Sequence, residues 1–253
     1  MKYMGSKNRI AKDILPIILK DRKPNQWYVE PFVGGANLID KVDGNRIGND
    51  VNTYLICLLE SLSKGWVPPK NVSEELYNRI KDNISEFDPE LVGYIGFQLS
   101  FGSKWFGGYR RDSKGIRNYS HEAQRNVLSQ SHKLKDIIFY TTNYNQFYIP
   151  EQSIIYCDPP YENTVSYKDK FNHTEFWQWC RDMSNKGHTV YVSEYNSPDD
   201  FKCIWEKQIK NTLDSTRTFS AVERLFVHES QYNKRITESE INFGDEINLF
   251  TIQ

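Results

Sequence analysis

Cysteine is scarce in this chain. Cys57, Cys157, Cys180 and Cys203 lie far apart and none belongs to a CxxC pair, which disfavours a zinc knuckle or a disulfide framework and suits a reducing compartment. Long apolar runs are missing too. The longest, Leu55-Ile56-Cys57-Leu58-Leu59, falls far short of a membrane span. The opening residues, Met1-Lys2-Tyr3-Met4-Gly5-Ser6-Lys7, turn polar at once, so no secretory signal and no membrane association are expected. Neither sign of charge dominates: the net charge of −1 excludes a globally basic polyanion binder. The histidines, His121, His132, His173, His188 and His228, form no ligand-spaced pair, so a zinc enzyme is not expected. What is present is ordinary for a globular protein, with 38% hydrophobic and 26% charged residues over 253 positions. That length supports one domain, or one domain carrying a large insertion.

The balanced total hides an asymmetry. Between Phe101 and Lys135 stand Lys104, Arg110, Arg111, Lys114, Arg117, Arg125, Lys133 and Lys135, opposed by Asp112 and Glu122 alone. This segment carries a net +6 and the rest of the chain −7. Charge runs are usually solvated surface, but this one is interleaved with Trp105, Phe106, Gly107, Gly108 and Tyr109, which points to one binding face for a polyanion.

The patterning predicts a helix over about 6–20, with Ser6 as N-cap, Ile10, Ile14 and Ile18 on one face, and a kink or interruption at Pro16. Trp27-Tyr28-Val29 reads as a strand entering the Gly34-Gly35 turn, with a helix over 36–42 after it. Arg46-Ile47-Gly48 reads as a second strand ending at Asn49-Asp50, followed by a helix over 51–63. This βαβα order opens a parallel sheet. From Gly65 to about Leu134 the chain is mostly helical and polar, and Arg110, Arg111, Lys114 and Arg117 sit in a hairpin or loop around Gly107-Gly108-Tyr109. Sheet-like sequence resumes at 137–140 and 154–157, then a helix at about 174–185, a strand at 189–193 and a weakly alternating edge strand at 247–252. The expectation is one α/β domain with an insertion of roughly 70 residues between its second and third strands.

Two places carry chemistry. In Val29-Glu30-Pro31-Phe32-Val33-Gly34-Gly35-Ala36-Asn37, a strand ends in adjacent glycines, which let a ligand approach the backbone where any Cβ would obstruct it. Asp50, at the end of the next strand, is placed as ribose-binding carboxylates are in nucleotide-type sites. Alone, such a turn is more often a plain structural connection. The second place is Asp158-Pro159-Pro160-Tyr161, directly after the apolar run Ile154–Cys157. A strand ending there puts the carboxylate at the ligand-binding edge of an open α/β sheet. Two prolines fix φ and leave carbonyls as acceptors. An Asp carboxylate with a Pro carbonyl suits an exocyclic –NH2 with its two donors, and Tyr161 offers a flat face to a planar base.

Lys2-Tyr3-Met4-Gly5-Ser6-Lys7, Glu30-Pro31-Phe32-Val33-Gly34-Gly35-Ala36 and Asp158-Pro159-Pro160-Tyr161, in that order, resemble the Dam-type, alpha-class DNA adenine-N6 methyltransferases. The basic segment lies between Asp50 and Asp158, where that class has its target-recognition region. The resemblance implies a Rossmann-like methyltransferase sheet, a catalytic domain over 1–64 and 136–253, and a mostly helical DNA-binding insertion over 65–135. It implies S-adenosylmethionine as cofactor, S-adenosylhomocysteine as product, and no metal. Tyr3, Lys7, Glu30, Phe32, Gly34, Gly35, Asp50, Asn143, Tyr144 and Asp158 would lie at the cofactor. Asp158, Pro159, Pro160 and Tyr161 would be catalytic. Lys104, Arg110, Arg111, Lys114, Arg117 and Arg125 would meet double-stranded DNA, the target adenine being flipped from the duplex. Asn143 departs from the family, which usually has an acid there, and Ala36 replaces the last glycine of the commoner FxGxG form. Thr218–Glu229, with Arg224, resembles a later family motif weakly and receives no role.

The resemblance further implies a cytoplasmic protein of a bacterial or phage-infected cell, a monomer or weak dimer, in the setting of DNA methylation or restriction-modification. Cytosine-N4 methylation is the close alternative, although that group typically has Ser in place of Asp158. A non-catalytic DNA-binding regulator on the same fold is the alternative from another class, and the intact Asp158 and Tyr161 count against it. Trp105, Phe106 and Tyr109 read equally as wedges for DNA or as ordinary core aromatics.

Overall fold

The computed structural model describes residues 1–112, 114–161, 171–211 and 219–234. The chain is a mixed α/β fold and divides into two compact units, Met1–Ile149 and Pro150–Gln253.

The first unit begins with a 3-10 turn at Lys7–Arg9, capped by the Ser6 hydroxyl, and helix α1, Ala11–Ile18. The expected single helix is therefore two pieces. Ile10, Ile14 and Ile18 are buried, while Pro16 sits on the exposed face inside α1, which ends two residues later. Strands β1, Tyr28–Glu30, and β2, Arg46–Asn49, pair in parallel, and β3, Ile137–Tyr140, adds in parallel to β2. Strands fully buried on both faces fit parallel pairing.

The helix expected over 36–42 is corrected to a single 3-10 turn, Ile39–Lys41. Gly34 has φ +47 and Ala36 φ +52, so the chain leaves β1 through left-handed backbone and reverses before a helical turn can start. Ala36 is thus a buried turn residue, not a helix-packing one. Helix α2, Thr53–Ser63, follows β2, with the Asn52 side chain accepting from Leu55 N–H at 3.0 Å as its cap.

Residues 65–135 supply α3, Glu74–Asp82, α4, Pro89–Gln98, and α5, Tyr119–Ser131, all within this first unit. Helix α4 lies against α2 so closely that a Cβ on Gly93 would meet Tyr54 O at 2.1 Å. The end of the segment is tied to the sheet by Arg46 in β2, whose guanidinium donates to the carbonyls of Lys133 (2.9 Å) and Lys135 (2.6 Å).

In the second unit, β4, Ile154–Cys157, pairs in parallel with β5, Thr189–Glu194, across helix α6, His173–Asn185. Beyond them β6, Phe201–Asn211, and β7, Phe219–His228, form a long antiparallel pair, with β7 also antiparallel to β5. That pair was not expected. Its register shifts between Cys203 and Trp205, so the alternation that marks a strand slips by one residue midway. The edge strand expected at 247–252 lies outside the described residues, as does Thr218. Among the described residues no helix is long and apolar enough to cross a membrane.

Candidate active site

In the first unit the turn after β1 is built from backbone. Val33 N–H donates to Asn49 O at 2.8 Å and Ala36 N–H to Val33 O at 2.9 Å. Asp50 accepts from Gly34 N–H at 3.2 Å on one carboxylate oxygen and from Asn52 N–H at 3.0 Å on the other. Burial pushes the Asp50 carboxyl above its ordinary range, opposed by these backbone N–H groups. Asn49 extends the support: its Nδ2 donates to the carbonyls of Pro31 and Thr142, and its Oδ1 accepts from Thr142 N–H. The ends of β1, β2 and β3 are thereby laced together by one buried amide.

Tyr3 packs onto this turn. A Cβ at Gly34 would lie 2.8 Å from the Tyr3 ring, and one at Gly35 would lie 2.6 Å from Tyr3 Cβ and 2.7 Å from Asn37 Nδ2. Lys7 and Glu30 are both buried, and Tyr28 donates its hydroxyl to Glu30 Oε1 at 2.9 Å. Phe32 and Tyr144 pair with ring centroids 5.3 Å apart, while Asn143 is exposed beside Tyr144. The structure therefore gathers Tyr3, Gly34, Gly35 and Asp50 directly, and Phe32 with Tyr144 as a neighbouring aromatic wall. The Asn37 amide nitrogen, buried beside Gly35, has no hydrogen-bond partner among the described residues and can donate to an acceptor placed at the turn. A glycine cradle, a turn-end carboxylate, aromatic rings and an unpaired donor fit an adenosine-bearing cofactor such as S-adenosylmethionine.

The basic loop belongs to the same unit. Phe101 N–H donates to Gly108 O and Arg110 N–H to Leu99 O, closing a short hairpin with a bridge between Ser100 and Tyr109. Asp112 then accepts from the backbone N–H groups of Lys114, Ile116 and Arg117, which holds its carboxyl below the usual range. The arginines differ in their surroundings. Arg111 pairs with Glu74, and Arg110 lies 3.9 Å over the Tyr119 ring and 3.7 Å from Glu122. Lys104, Lys114, Arg117 and Arg125 are exposed. Trp105 stacks on Tyr54 and touches Phe97, Phe106 packs on Tyr77, and Tyr109 donates its hydroxyl to Val72 O. Of the two readings of these aromatics, the packing one describes the structure. Gly96 makes it possible, since a Cβ there would meet Trp105 at 2.5 Å.

In the second unit the tetrapeptide Asp158–Tyr161 leaves the end of the wholly buried β4. Among the described residues no peptide bond is cis, so Pro159 and Pro160 stiffen the segment as trans prolines. Tyr161 donates its hydroxyl to Glu223 Oε2 at 2.9 Å and meets the Tyr195 ring edge-on at 4.6 Å. Burial, with the negative charges of Asp158 and Glu223, pushes the Tyr161 phenol well above its ordinary range, so it stays a donor. Arg224, to which the sequence assigned no role, faces Glu194 in register across β5 and β7 and donates to Tyr195 O. Glu223 and Tyr195 were missed because they lie in β7 and just past the end of β5, well beyond the motif in sequence. The weak later-motif likeness was the one signal available.

Residues 3–104 match the family described as D12 class N6 adenine-specific DNA methyltransferase. A Type II methyltransferase of Planomicrobium okeanokoites, M.FokI, is 24% identical over 94% of this chain and 37% of its own length. A DNA adenine methylase of Vibrio cholerae is 26% identical over 64% of this chain and 64% of its own length. The chain thus spans less than two thirds of the length of these curated relatives. Among solved structures, a methyltransferase complexed with SAH covers 88% of this chain and 52% of its own at 11% identity, with a TM-score of 0.36, too slight a likeness to bear on the site. Over residues 3–104, then, the chain is similar to the D12 class N6 adenine-specific DNA methyltransferases.

Proposed function

We propose that the protein transfers a methyl group from S-adenosylmethionine to adenine N6 in double-stranded DNA. The observation that carries this reading is the Asp158-Pro159-Pro160-Tyr161 segment at the end of a buried strand, its tyrosine anchored on Glu223 and Tyr195. Adenine N6 is a poor nucleophile because its lone pair is conjugated into the ring. Hydrogen bonds from its two N–H groups to the Asp158 carboxylate and the Pro159 carbonyl favour a pyramidal nitrogen with a localised lone pair. Asp158 would then stabilise the positive charge that develops on N6 as the methyl is taken in line, the methyl–sulfur bond breaking to leave S-adenosylhomocysteine and N6 releasing one of its two protons to solvent. Tyr161 stacks on the base and offsets part of the few kcal/mol that flipping costs.

In this reading Tyr3, Lys7, Glu30, Phe32, Gly34, Gly35, Asp50, Asn143 and Tyr144 hold the cofactor, with Asp50 toward its ribose and the Phe32–Tyr144 pair toward its adenine. The cofactor, when bound, supplies the electrophilic methyl on a sulfonium. The exposed Lys104, Lys114, Arg117 and Arg125 contact DNA phosphates and release counterions, while Arg110 and Arg111 serve after exchanging their internal partners. The protein acts where DNA and the cofactor are found together, in the cytoplasm of a bacterial cell, and requires no metal.

The test is nucleoside analysis of DNA from an unmethylated host expressing the chain. N6-methyladenine is the expected product. N4-methylcytosine would overturn the substrate, and no modified base from folded, cofactor-bound protein would favour a silent DNA binder.

A further inference from the structure

Two buried side-chain amides from the segment 65–135 grip the backbone on either side of the Tyr3–glycine contact. Gln98, the last residue of α4, is 1% exposed. Its Oε1 accepts from Lys2 N–H at 3.2 Å and its Nε2 donates to Lys2 O at 2.8 Å, a paired clamp on the residue before Tyr3. Gln130 on α5 is 4% exposed. Its Nε2 lies 3.1 Å from Gly35 O, 3.0 Å from Ala36 O and 2.9 Å from Asp40 Oδ2, so its two hydrogens are shared among the turn carbonyls and a carboxylate. Gln98 therefore holds the segment that carries Tyr3, and Gln130 holds the turn that Tyr3 covers, its Oε1 also accepting from the Met1 ammonium at 2.6 Å. Tyr3 itself is backed by Phe97, the neighbour of Gln98, at 5.4 Å.

These amides do more than fill the core, since an apolar side chain of the same shape would strip the Lys2 N–H and carbonyl and the Gly35 and Ala36 carbonyls of these bonds. Their value is directional. Each holds backbone outside the regular helices and strands, where tenths of an ångström decide whether Tyr3 and the glycines fit; of these groups Ala36 O also accepts from Asp40 N–H at 3.3 Å. We propose that Gln98 and Gln130 are positioning residues for the cofactor site, setting the separation of Tyr3 from the Gly34–Gly35 turn. The inference rests on the reading that this turn holds S-adenosylmethionine. It makes the helical segment 65–135 part of the cofactor site as well as a DNA-binding element. Lys2 joins the two, since its ammonium pairs with Glu122, which also lies 3.7 Å from Arg110 of the basic loop.

Calorimetric titration with S-adenosylhomocysteine tests this on the full chain. Gln98→Leu and Gln130→Leu should each weaken binding roughly tenfold while leaving transfer at saturating cofactor within about twofold. In a Tyr3→Ala background, Gln98→Leu should add less than about twofold, because its effect passes through Tyr3. Gln98→Met, unbranched and of similar length, loses both bonds to Lys2 with less misfit, so it should weaken binding as the leucine variant does. It serves if the leucine variant does not fold. Unchanged affinity in folded variants, or a full tenfold loss added on top of Tyr3→Ala, overturns the inference. Wild-type protein that binds no S-adenosylhomocysteine overturns the cofactor reading and this inference together, whereas normal wild-type binding with unaffected variants overturns this inference alone.

Discussion

The turn after β1 and the tetrapeptide after β4 both follow short strands that are buried throughout, yet they work with different atoms. The turn is shaped by its backbone, and the side chains around it serve to hold that backbone: Asp50 on Gly34, Asn49 on Pro31 and Thr142, Gln130 on Gly35 and Ala36. At the tetrapeptide, two prolines remove donors and leave a carboxylate and an aromatic ring as the working groups, with Glu223 and Tyr195 holding the ring. A site made of backbone is sensitive to added volume. A site made of side chains is sensitive to lost function. The two regions should therefore fail in opposite ways when altered.

The largest effect is expected from Asp158→Ala, which in the proposed mechanism removes the group that meets charge in the transition state. Transfer should fall by about a thousandfold or more, with cofactor affinity kept within about tenfold. Gly35→Ala comes next. The added Cβ meets Tyr3 and Asn37 below 3 Å, so the turn must shift, weakening the cofactor by roughly ten- to a hundredfold and costing about 1–3 kcal/mol of stability, measurable by titration and denaturant melts. The smallest effect sharpens the contrast between both sites and the basic loop. Lys114→Ala with Arg117→Ala should reduce the slope of log affinity against log salt by about 1.8, while Arg110→Ala with Arg111→Ala should reduce it by less than about one. The difference follows from the internal partners Glu74, Tyr119 and Glu122 that the second pair already has.

The sequence placed the glycine turn, Asp50, the tetrapeptide and the basic segment at the correct element ends, because each depends on residues close together in the chain. Local patterning was also enough for α2, β3, β4 and α6. It failed where geometry overrides composition. Ala36 has the highest intrinsic helix propensity of any residue type but adopts a left-handed φ, which removed the helix expected over 36–42. The bulge in β6 broke the two-residue period that would have revealed the β6–β7 pair. Gln98 and Gln130 were invisible for another reason: each acts on backbone more than 90 residues away, and nothing in the sequence marks a buried amide as a clamp. Trp105, Phe106 and Tyr109 were ambiguous because aromatic residues serve packing and stacking alike, and only the Gly96 recess and the Tyr54 and Tyr77 neighbours decide.

The most direct test of this division crosses the two sites in one experiment, measuring S-adenosylhomocysteine affinity and methyl transfer at saturating cofactor for Asp158→Ala and Gly35→Ala side by side. The account predicts opposite phenotypes: near-normal binding with transfer lost for Asp158→Ala, and weakened binding with transfer largely recovered at saturation for Gly35→Ala. Transfer retained by Asp158→Ala, or cofactor affinity unchanged in Gly35→Ala, would contradict it.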